Sequence, residues 1–478
     1  MTRFPAGSLT GLIVKFVDDA IDLAVVALHT GYRLLQKLGC GYLTLPNEFT
    51  QAETQLIEQL RQHPEMMVRV QSILEIARNA EGPLKTADEV EELLIQEMRR
   101  LGNVTLSQWA IQAEERVSTE LRSQDPSIRS RKKKTLKWWC VFGLVEVRER
   151  LWRSQTKNYV RPFPERVGVT PRGRSRRLER VLTDFGCEKA FGRAAESVRE
   201  HYGFEIGVSA VRTATLEHAQ RAREKLRAEY QQSFRVLPAV GAAHVIAQAD
   251  GTMICTVAPG PRQGKRPRAW KEMRLVAAQA QGSATTYYGA TFGSVEETGR
   301  RWGHCARQAG WGLNSEIHAG GDGAEWVQLQ SKEVFREQGV FLCDFFHVSE
   351  YLGAAALSCR PSQPNSWRRT QQQRLRRGAV QKVIEALAPH LEPEGTADEE
   401  SPVRNGYRYL NNRLDYLDYP RALALGLPIG SGMIESGNRH VLQARLKQAG
   451  TAWLADHADQ IAHLRVLRVN QQWESLWN

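Results

Sequence analysis

Apolar residues recur at helical spacing through the N-terminal part of the chain. In TQLIEQLRQHPEMMVRVQSILEIARN and in ADEVEELLIQEMRRLGNVTLSQWAIQAEERVSTELRS, the apolar positions fall three or four residues apart, which predicts amphipathic helices. The start TADEVEELL crowds acidic residues into one turn, which is a signal of a helix N-terminus. We therefore expect residues 1–125 to form a helical region.

The pattern changes in residues 126–170. TLKWWCVFGLVEVRERLWRS alternates between apolar and polar residues and is rich in β-branched and aromatic side chains, which predicts two short strands. RPFPERVGVTPRGRS contains three prolines and predicts a linker. This part of the chain is expected to be a strand-rich segment followed by a linker.

Residues 171–235 again have helical spacing. AAESVREHYG, FEIG and VSAVRTATLEHA follow one another as helix, short turn and helix, the layout of a helix-turn-helix. The second helix would offer Ser209, Arg212 and Thr213 to a DNA groove. Any two helices joined by a glycine turn share this layout, so a plain helical pair remains the alternative.

Residues 240–478 alternate between strand and helix patterns. HVIAQADGTMICTV, EMRLVAAQAQG and TTYYGATFG predict strands, and SVEETGRRWGHCARQAG predicts a helix. SEIHAGGDGAEWV and VFLCDFFHVSEYLGAAALS each contain a further strand, and the second runs into a helix. The order β-β-β-α-β-α-β is that of an α/β domain with an RNase H-like fold. Residues 360–428 are expected to form a helical insertion in it.

Composition argues for an intracellular protein without a membrane span. The most apolar stretch, LIVKFVDDAIDLAVVAL, is interrupted by Lys15 and three aspartates, and no signal-peptide pattern begins the chain. Seven cysteines are scattered without a CxxC pair, which fits a reducing compartment. We expect a cytoplasmic, nucleoid-associated protein with no membrane partner.

Positive charge is concentrated in one segment. Residues 129–180 hold 17 Lys and Arg against 4 acidic residues, more excess charge than the net +12 of the whole chain. Such a segment, interleaved with Trp and Phe, predicts a polyanion partner. The candidate DNA contacts in the run RSRKKK are Arg131, Lys132, Lys133 and Lys134. The alternative is a solvated basic loop.

Three carboxylates stand where strands end or a helix begins. Asp250 follows an apolar run in AQADGT, Asp322 lies between glycines in HAGGDGAEW, and Glu435 follows the glycine-rich turn of IGSGMIES. Each has an ordinary alternative: the aspartates as turn residues, and Glu435 as a first-turn acid of a helix with Ser431 as its N-cap. Together they would suit two Mg²⁺ or Mn²⁺ ions, roughly 3.5–4 Å apart, in phosphodiester chemistry.

From about residue 135 onward the chain resembles a bacterial insertion-sequence DDE transposase of the ISKra family, related to Mutator-like transposases. The segments that carry the resemblance are PIGSGMIES, RHVLQARLKQAGTAW, GGDGAEW and CDFFHVSEYL. The resemblance implies that Asp250, Asp322 and Glu435 are the metal-binding triad of an enzyme that cuts and joins DNA. Its expected partners are double-stranded DNA with terminal inverted repeats and further copies of the chain on that DNA.

Asp344 and His347 in CDFFH fit an Asp-x-x-His signature of Mutator-like relatives, with a supporting role in the site. A hydrogen-bonded Asp–His pair in the interior is the alternative. Asp344 also competes with Asp322 as the second metal ligand. Asp322 is preferred because its glycines leave room and because it ends the strand expected beside that of Asp250.

Three basic residues follow Glu435. Arg439 could contact phosphate or could pair with Glu435 four residues earlier, whereas Arg445 and Lys447 are expected to contact phosphate. Relatives often carry paired cysteines before the helix-turn-helix. Here only Cys140 remains, which speaks against zinc.

The sequence therefore predicts an active DNA transposase. A second possibility is a domesticated protein that binds terminal repeats without cutting them, and a third is an RNase H-like nuclease that lacks strand transfer.

Overall fold

The computed structural model describes residues 50–78, 83–153, 159–260 and 266–478. The chain divides into two compact units, residues 1–179 with 200–204 and residues 180–199 with 205–478. The stretch LIVKFVDDAIDLAVVAL and the rest of residues 1–49 lie outside the described residues. Residues 126–170 belong to the first unit, and most of residues 171–235 belong to the second, together with residues 240–478.

The first unit contains the helices α1 (Gln51–Gln62), α2 (Pro64–Arg78) and α3 (Ala87–Gln124). A capping box starts α3: the Thr86 hydroxyl accepts from the Glu89 backbone N–H, and the Glu89 carboxylate accepts from the Thr86 N–H. The helical prediction is thus confirmed for this part of the chain.

Two strands follow, as the alternation predicts, but they are longer. The strand β1 (Arg129–Cys140) pairs antiparallel with β2 (Gly143–Arg153), and β3 (Tyr159–Val160) joins β2. The basic run RSRKKK lies inside β1, because its partner strand is long enough to extend the ladder through it. A short helix, α4 (Pro162–Val167), occupies the start of the expected linker.

The helices predicted within residues 171–235 are present as α5 (Arg176–Glu188), α6 (Phe191–Tyr202) and α7 (Val208–Gln231). Small and apolar side chains of α7, among them Ala219, Ala222 and Leu226, are buried in a core of the second unit. They have this role because they recur at three- and four-residue spacing.

A six-stranded sheet forms the centre of the second unit: five strands lie side by side, and a short sixth strand pairs with the middle one. The strands β4 (His244–Val257), β5 (Arg268–Ala280) and β6 (Tyr287–Thr291) are antiparallel neighbours. The strands β7 (Glu316–Gly321) and β8 (Gly339–Cys343) continue the sheet in parallel from β4. The sheet is therefore mixed.

Helices α8 (Val295–Gln308) and α9 (Glu325–Phe335) connect these strands, and α10 (Phe345–Cys359) follows β8. The predicted order β-β-β-α-β-α-β is confirmed. Side chains of β5 alternate between two cores: Val276 and Ala278 face one, whereas Leu275 and Ala277 face the other. Burial of both faces explains why the central part of this strand, Leu275 to Ala278, is an unbroken apolar run.

The expected helical insertion is also present. Its helices are α11 (Pro364–Arg376), α12 (Val380–Leu387), α13 (Pro402–Asn411) and α14 (Tyr419–Ala424). Apolar residues from all four helices, including Leu375, Val383, Leu410 and Ala422, join the same core as α10. The insertion is thus packed onto the sheet domain.

The last elements of the chain are α15 (Gly432–Gly437), a π-helical segment (Asn438–Gln443), α16 (Ala444–Leu446), β9 (Trp453–Leu454), α17 (Ala455–Val469) and a 3-10 helix (Trp473–Leu476). The strand β9 pairs with the far end of β4. Among the residues with described structure, no helix is both long and apolar enough to cross a membrane.

Candidate active site

The site lies where β4 and β7 separate. Their parallel pairing ends at Gln248 and Gly320, yet β4 continues to Val257 alongside β5. Asp250 therefore lies within a strand, paired to Leu275, and not after its end as predicted. The difference arises because β4 has 14 residues, whereas β7 has only 6 and pairs with the first part of β4. In relation to β7, Asp250 still stands just beyond the carboxyl end of the pairing, a position where sheets bind ligands.

Alternate side chains of β4 hold the C-terminal segment in place. Gln248, only 2% exposed, donates to the Gly430 carbonyl at 2.9 Å and accepts from the Ile434 N–H at 3.1 Å. Asp250 Oδ2 accepts from Asn438 Nδ2 at 2.6 Å. Residues two apart project from the same face of a strand, so one face of β4 binds both α15 and the π-helical segment.

Asp322 follows β7 in a loop whose backbone carbonyls accept hydrogen bonds from the helical insertion. Its Oδ1 accepts from the Ala324 N–H at 2.9 Å, and its carbonyl accepts from the Tyr409 hydroxyl at 2.7 Å. Arg413 donates to the carbonyl of Gly323 from Nε at 3.0 Å and from Nη2 at 2.8 Å. Gly323 has φ +82° and a Cβ there would meet the Tyr409 hydroxyl at 2.6 Å, so only glycine fits.

Asp344 follows β8 and caps α10. Its Oδ1 accepts from the Phe346 N–H at 2.5 Å and the His347 N–H at 3.2 Å, and its Oδ2 accepts from the Ser431 N–H at 2.8 Å and from the Ser431 hydroxyl. Asp344 is 4% exposed. Four donors occupy both of its oxygens, which favours a supporting role over that of a metal ligand.

Glu435 lies in the first turn of α15 and is exposed. Ser431 occupies the N-cap position, but its side chain makes no capping hydrogen bond. Its hydroxyl oxygen instead lies within hydrogen-bond distance of Asp344 Oδ2 and, at 2.8 Å, of Glu435 Oε1, and its single proton can be donated to either carboxylate. The alternative that Ser431 caps the helix through its side chain is therefore not realised: the hydroxyl lies between two carboxylates, because both are within reach of its short side chain.

These residues meet in one pocket of about 250 Å³. Its lining includes Asp250, Asp322, Glu435, Asp344 and His347. Burial raises the pKa of Asp250 to about 6, and repulsion from Asp322 and Glu435 contributes, partly offset by the Gly251 N–H. The sequence prediction that these three carboxylates come together is thus matched by the pocket.

The donor set fits a hard divalent cation. Carboxylate oxygens on three separate elements are the ligands that Mg²⁺ and Mn²⁺ prefer. A bound cation would relieve the repulsion that raises the pKa of Asp250. Among the residues that the structure describes, no group of three or more His, Cys, Asp or Glu side chains is arranged so that it could hold a metal ion, so the fit rests on the chemistry of the carboxylates and not on a preformed ligand geometry. The remaining ligands would have to come from water or substrate.

His347 lies at the edge of the pocket. Its Nδ1 is 3.5 Å from Glu350 Oε2, and its ring packs edge-to-face against Tyr351 and Tyr409. Asp344 accepts from the backbone N–H of His347, so the two residues do not form the side-chain pair that the sequence left open. The imidazole is available to the pocket.

Arg445 does not contact phosphate as predicted. It is 1% exposed, its guanidinium lies over the rings of Phe191 and Trp453 at 4.8 and 4.7 Å, and Nε donates to the Gly186 carbonyl at 3.0 Å. Burial lowers its pKa to about 10. This correction has a physical reason: two aromatic faces and a carbonyl take the place of water around the cation.

Arg439 and Lys447 are both exposed. Within the described residues, Arg439 makes no ion pair with Glu435 within 4 Å, so the helical pairing that the sequence allowed is not formed. Both cations remain candidates for phosphate contact.

The basic run on β1 is exposed at Lys132, Lys133 and Lys134, and Arg131 stands at an irregularity in the ladder to β2. Two of the tryptophans interleaved with basic residues in this segment are buried, whereas Tyr159 is 62% exposed. Trp138 and Trp152 are only 3% and 1% exposed. They stabilise the interior of the first unit and do not form a stacking surface for bases.

Arg212 is half-buried on α7, with Nη2 3.5 Å from His457 Nδ1, whereas Ser209 and Thr213 are exposed.

Cys140 is buried, and its Sγ donates to the Gly143 carbonyl and accepts from the Phe142 N–H. This thiol is engaged in the turn between β1 and β2.

Sequence analysis missed Gln248 and Asn438. The sequence contains a signal for each residue: a glutamine within the apolar run HVIAQADGT must find buried partners, and an asparagine three residues after a candidate ligand lies on the same side of a helix.

Comparison of the chain with protein-family models and with curated proteins finds no match.

Proposed function

We propose that this protein is a DDE-type DNA transposase, which cleaves and joins DNA at the ends of an insertion sequence. The observation that carries the proposal is one pocket that gathers Asp250, Asp322 and Glu435 from segments far apart in the chain. The element order of the second unit, which is the order expected of an RNase H-like domain, also supports it.

In this proposal Asp250, Asp322 and Glu435 hold two Mg²⁺ or Mn²⁺ ions. Ions held by these carboxylates would supply Lewis-acid chemistry for the attacking and leaving oxygens of a phosphodiester. Asn438 keeps one oxygen of Asp250 oriented, and Ser431 does the same for Glu435. Asp344 fixes the turn before α15 through the Ser431 N–H.

Basic side chains close to Glu435 in sequence and on β1 would bind the DNA. Arg439 and Lys447 lie just after Glu435, and both are exposed. Lys132, Lys133 and Lys134 provide a second basic surface on β1. The helices α6 and α7 would act as a helix-turn-helix that distinguishes terminal repeats from other DNA, and further copies of the chain would assemble on both ends.

The test uses the full chain and a supercoiled plasmid that carries the DNA flanking its gene on both sides. Mn²⁺-dependent cleavage at the repeat ends is expected for the wild type. Asp250→Asn, Asp322→Asn and Glu435→Gln should each abolish it while leaving end binding intact. The matched control is Glu350→Gln, which removes an exposed carboxylate from the same pocket and should retain cleavage.

A joining assay separates the other two functions. A labelled repeat end with a free 3′-hydroxyl should be transferred into a second plasmid by the wild type. Cleavage without transfer would identify a nuclease. End binding without cleavage, unaffected by the three substitutions, would identify a non-catalytic DNA-binding protein and would refute the proposal.

A further inference from the structure

The C-terminal side of the pocket rests on the π-helical segment Asn438–Gln443. This segment begins three residues after Glu435 and presents Asn438 to Asp250. A π-helix widens the turn and disturbs the usual backbone pairing, and such segments are often found at functional sites. The orientation of the Asn438 amide therefore depends on how this irregular backbone is held.

One buried arginine holds it. Arg465 on α17 is 5% exposed, and its Nε donates to the Val441 carbonyl at 2.6 Å while Nη2 donates to the His440 carbonyl. Both carbonyls belong to the π-helical segment. The guanidinium thus binds two carbonyls of the segment at once, on the side from which α17 approaches.

The same guanidinium is anchored on its other side. Its Nη1 donates to the Cys187 carbonyl at 2.9 Å and to Glu188 Oε2 at 2.7 Å, at the end of α5. Four acceptors therefore surround a planar group with fixed donor directions. An arginine can satisfy them together, whereas a lysine ammonium cannot reach both sides in the same geometry.

We propose that Arg465 is a positioning residue for the metal-binding carboxylates. It fixes the π-helical backbone, which aims Asn438 at Asp250 and sets the position of α15 with Glu435. This inference rests on the proposed function, because the property that it controls is divalent-cation affinity at these carboxylates.

The test measures Mn²⁺ binding directly by the loss of the free Mn²⁺ signal in electron paramagnetic resonance, without DNA. Arg465→Lys keeps the positive charge but removes the planar guanidinium with its fixed donor directions. We expect its Mn²⁺ affinity to fall by about 10-fold to 100-fold, the usual range for residues that orient metal ligands. Excess Mn²⁺ should restore cleavage, and end-DNA binding should not change.

Arg468→Lys is the matched control. Arg468 lies on the same helix and pairs with Asp184 and Glu188, but in the described residues it makes no hydrogen bond to the π-helical segment. A general loss of packing around α17 would lower Mn²⁺ affinity in both variants. Equal effects of the two substitutions, or wild-type affinity in Arg465→Lys, would overturn the inference.

Asn438→Ala provides a second variant that leaves Arg465 in place. It should lower Mn²⁺ affinity, and combination with Arg465→Lys should add little, because both act on the same contact. Fully additive losses of Mn²⁺ affinity would contradict the proposal that Arg465 acts by orienting Asn438. If the wild type binds no Mn²⁺, or if Asp250→Asn binds it as tightly, the proposed function itself fails.

Discussion

Asp250→Asn should make the metal-free protein more stable at neutral pH. The pKa of Asp250 is about 6 in the folded protein, against an ordinary value of 3.8. The folded state therefore holds this proton more tightly than the unfolded chain does. Stability from the neutral carboxyl is present below about pH 4 and is lost as the pH rises through about 6.

The magnitude follows from the difference of about two pKa units, each worth about 1.4 kcal/mol. Ionisation of Asp250 thus destabilises the folded state by about 3 kcal/mol at pH 7.5, and by roughly half of that at pH 5. Asparagine does not ionise and has the same shape. The buried Oδ1 of Asn438, which has no hydrogen-bond partner among the described residues, could accept from the new amide after rotation.

The assay is urea unfolding, followed by circular dichroism in a chelator, at pH 5 and at pH 7.5. The free energy of unfolding of Asp250→Asn should exceed that of the wild type by about 2–3 kcal/mol at pH 7.5, and by less at pH 5. Added Mn²⁺ should stabilise the wild type and shrink the difference.

Asp344→Asn is the contrasting variant. Its carboxylate lies in the same pocket but accepts four hydrogen bonds, so an amide there should destabilise the protein by about 1–3 kcal/mol. A loss of stability in Asp250→Asn, or a gain that is the same at both pH values, would refute the electrostatic reasoning.

Three further outcomes are expected. Glu435→Gln should abolish end cleavage and cost at most about 1 kcal/mol of unfolding free energy, since the residue is exposed; full cleavage would remove it from the triad. Joint replacement of Lys132, Lys133 and Lys134 by Gln should flatten the dependence of DNA affinity on salt, since fewer counterions are released, and an unchanged slope in filter binding would contradict this. Arg212→Ala should reduce the preference for repeat ends over random DNA, whereas equal weakening on both DNAs in the same assay would assign Arg212 to phosphates.

Local patterns predicted the elements of the second unit well. HVIAQADGTMICTV coincides with β4, because alternation and apolar runs are properties of the strand itself. The prediction that Asp250 lies at a strand end is wrong, because that position is set by a neighbouring strand and not by the local sequence. The separation of β7 from β4 depends on the length of a neighbour, which the residues around Asp250 do not encode.

The sequence predicted the carboxylates of the candidate site, but it did not predict the residues that surround them. Asp250, Asp322 and Glu435 line one pocket as expected, although Asp250 lies within its strand and not at the end of it. The position of Arg445 could not be foreseen, because the rings that cover it, Phe191 and Trp453, come from a helix and a strand on either side of it in sequence. Charge alone predicts exposure, and only the tertiary partners reverse it.

The hydrogen bonds that assemble the pocket join residues far apart in sequence. Tyr409 binds the Asp322 carbonyl across 87 residues, and Asn438 binds Asp250 across 188. Contacts of such range form late in folding, since a long loop must close before they are made. A growing chain on the ribosome therefore cannot complete this pocket until residues 431–443 have emerged. The pocket can therefore bind its ligands only after nearly all of the chain has been synthesised.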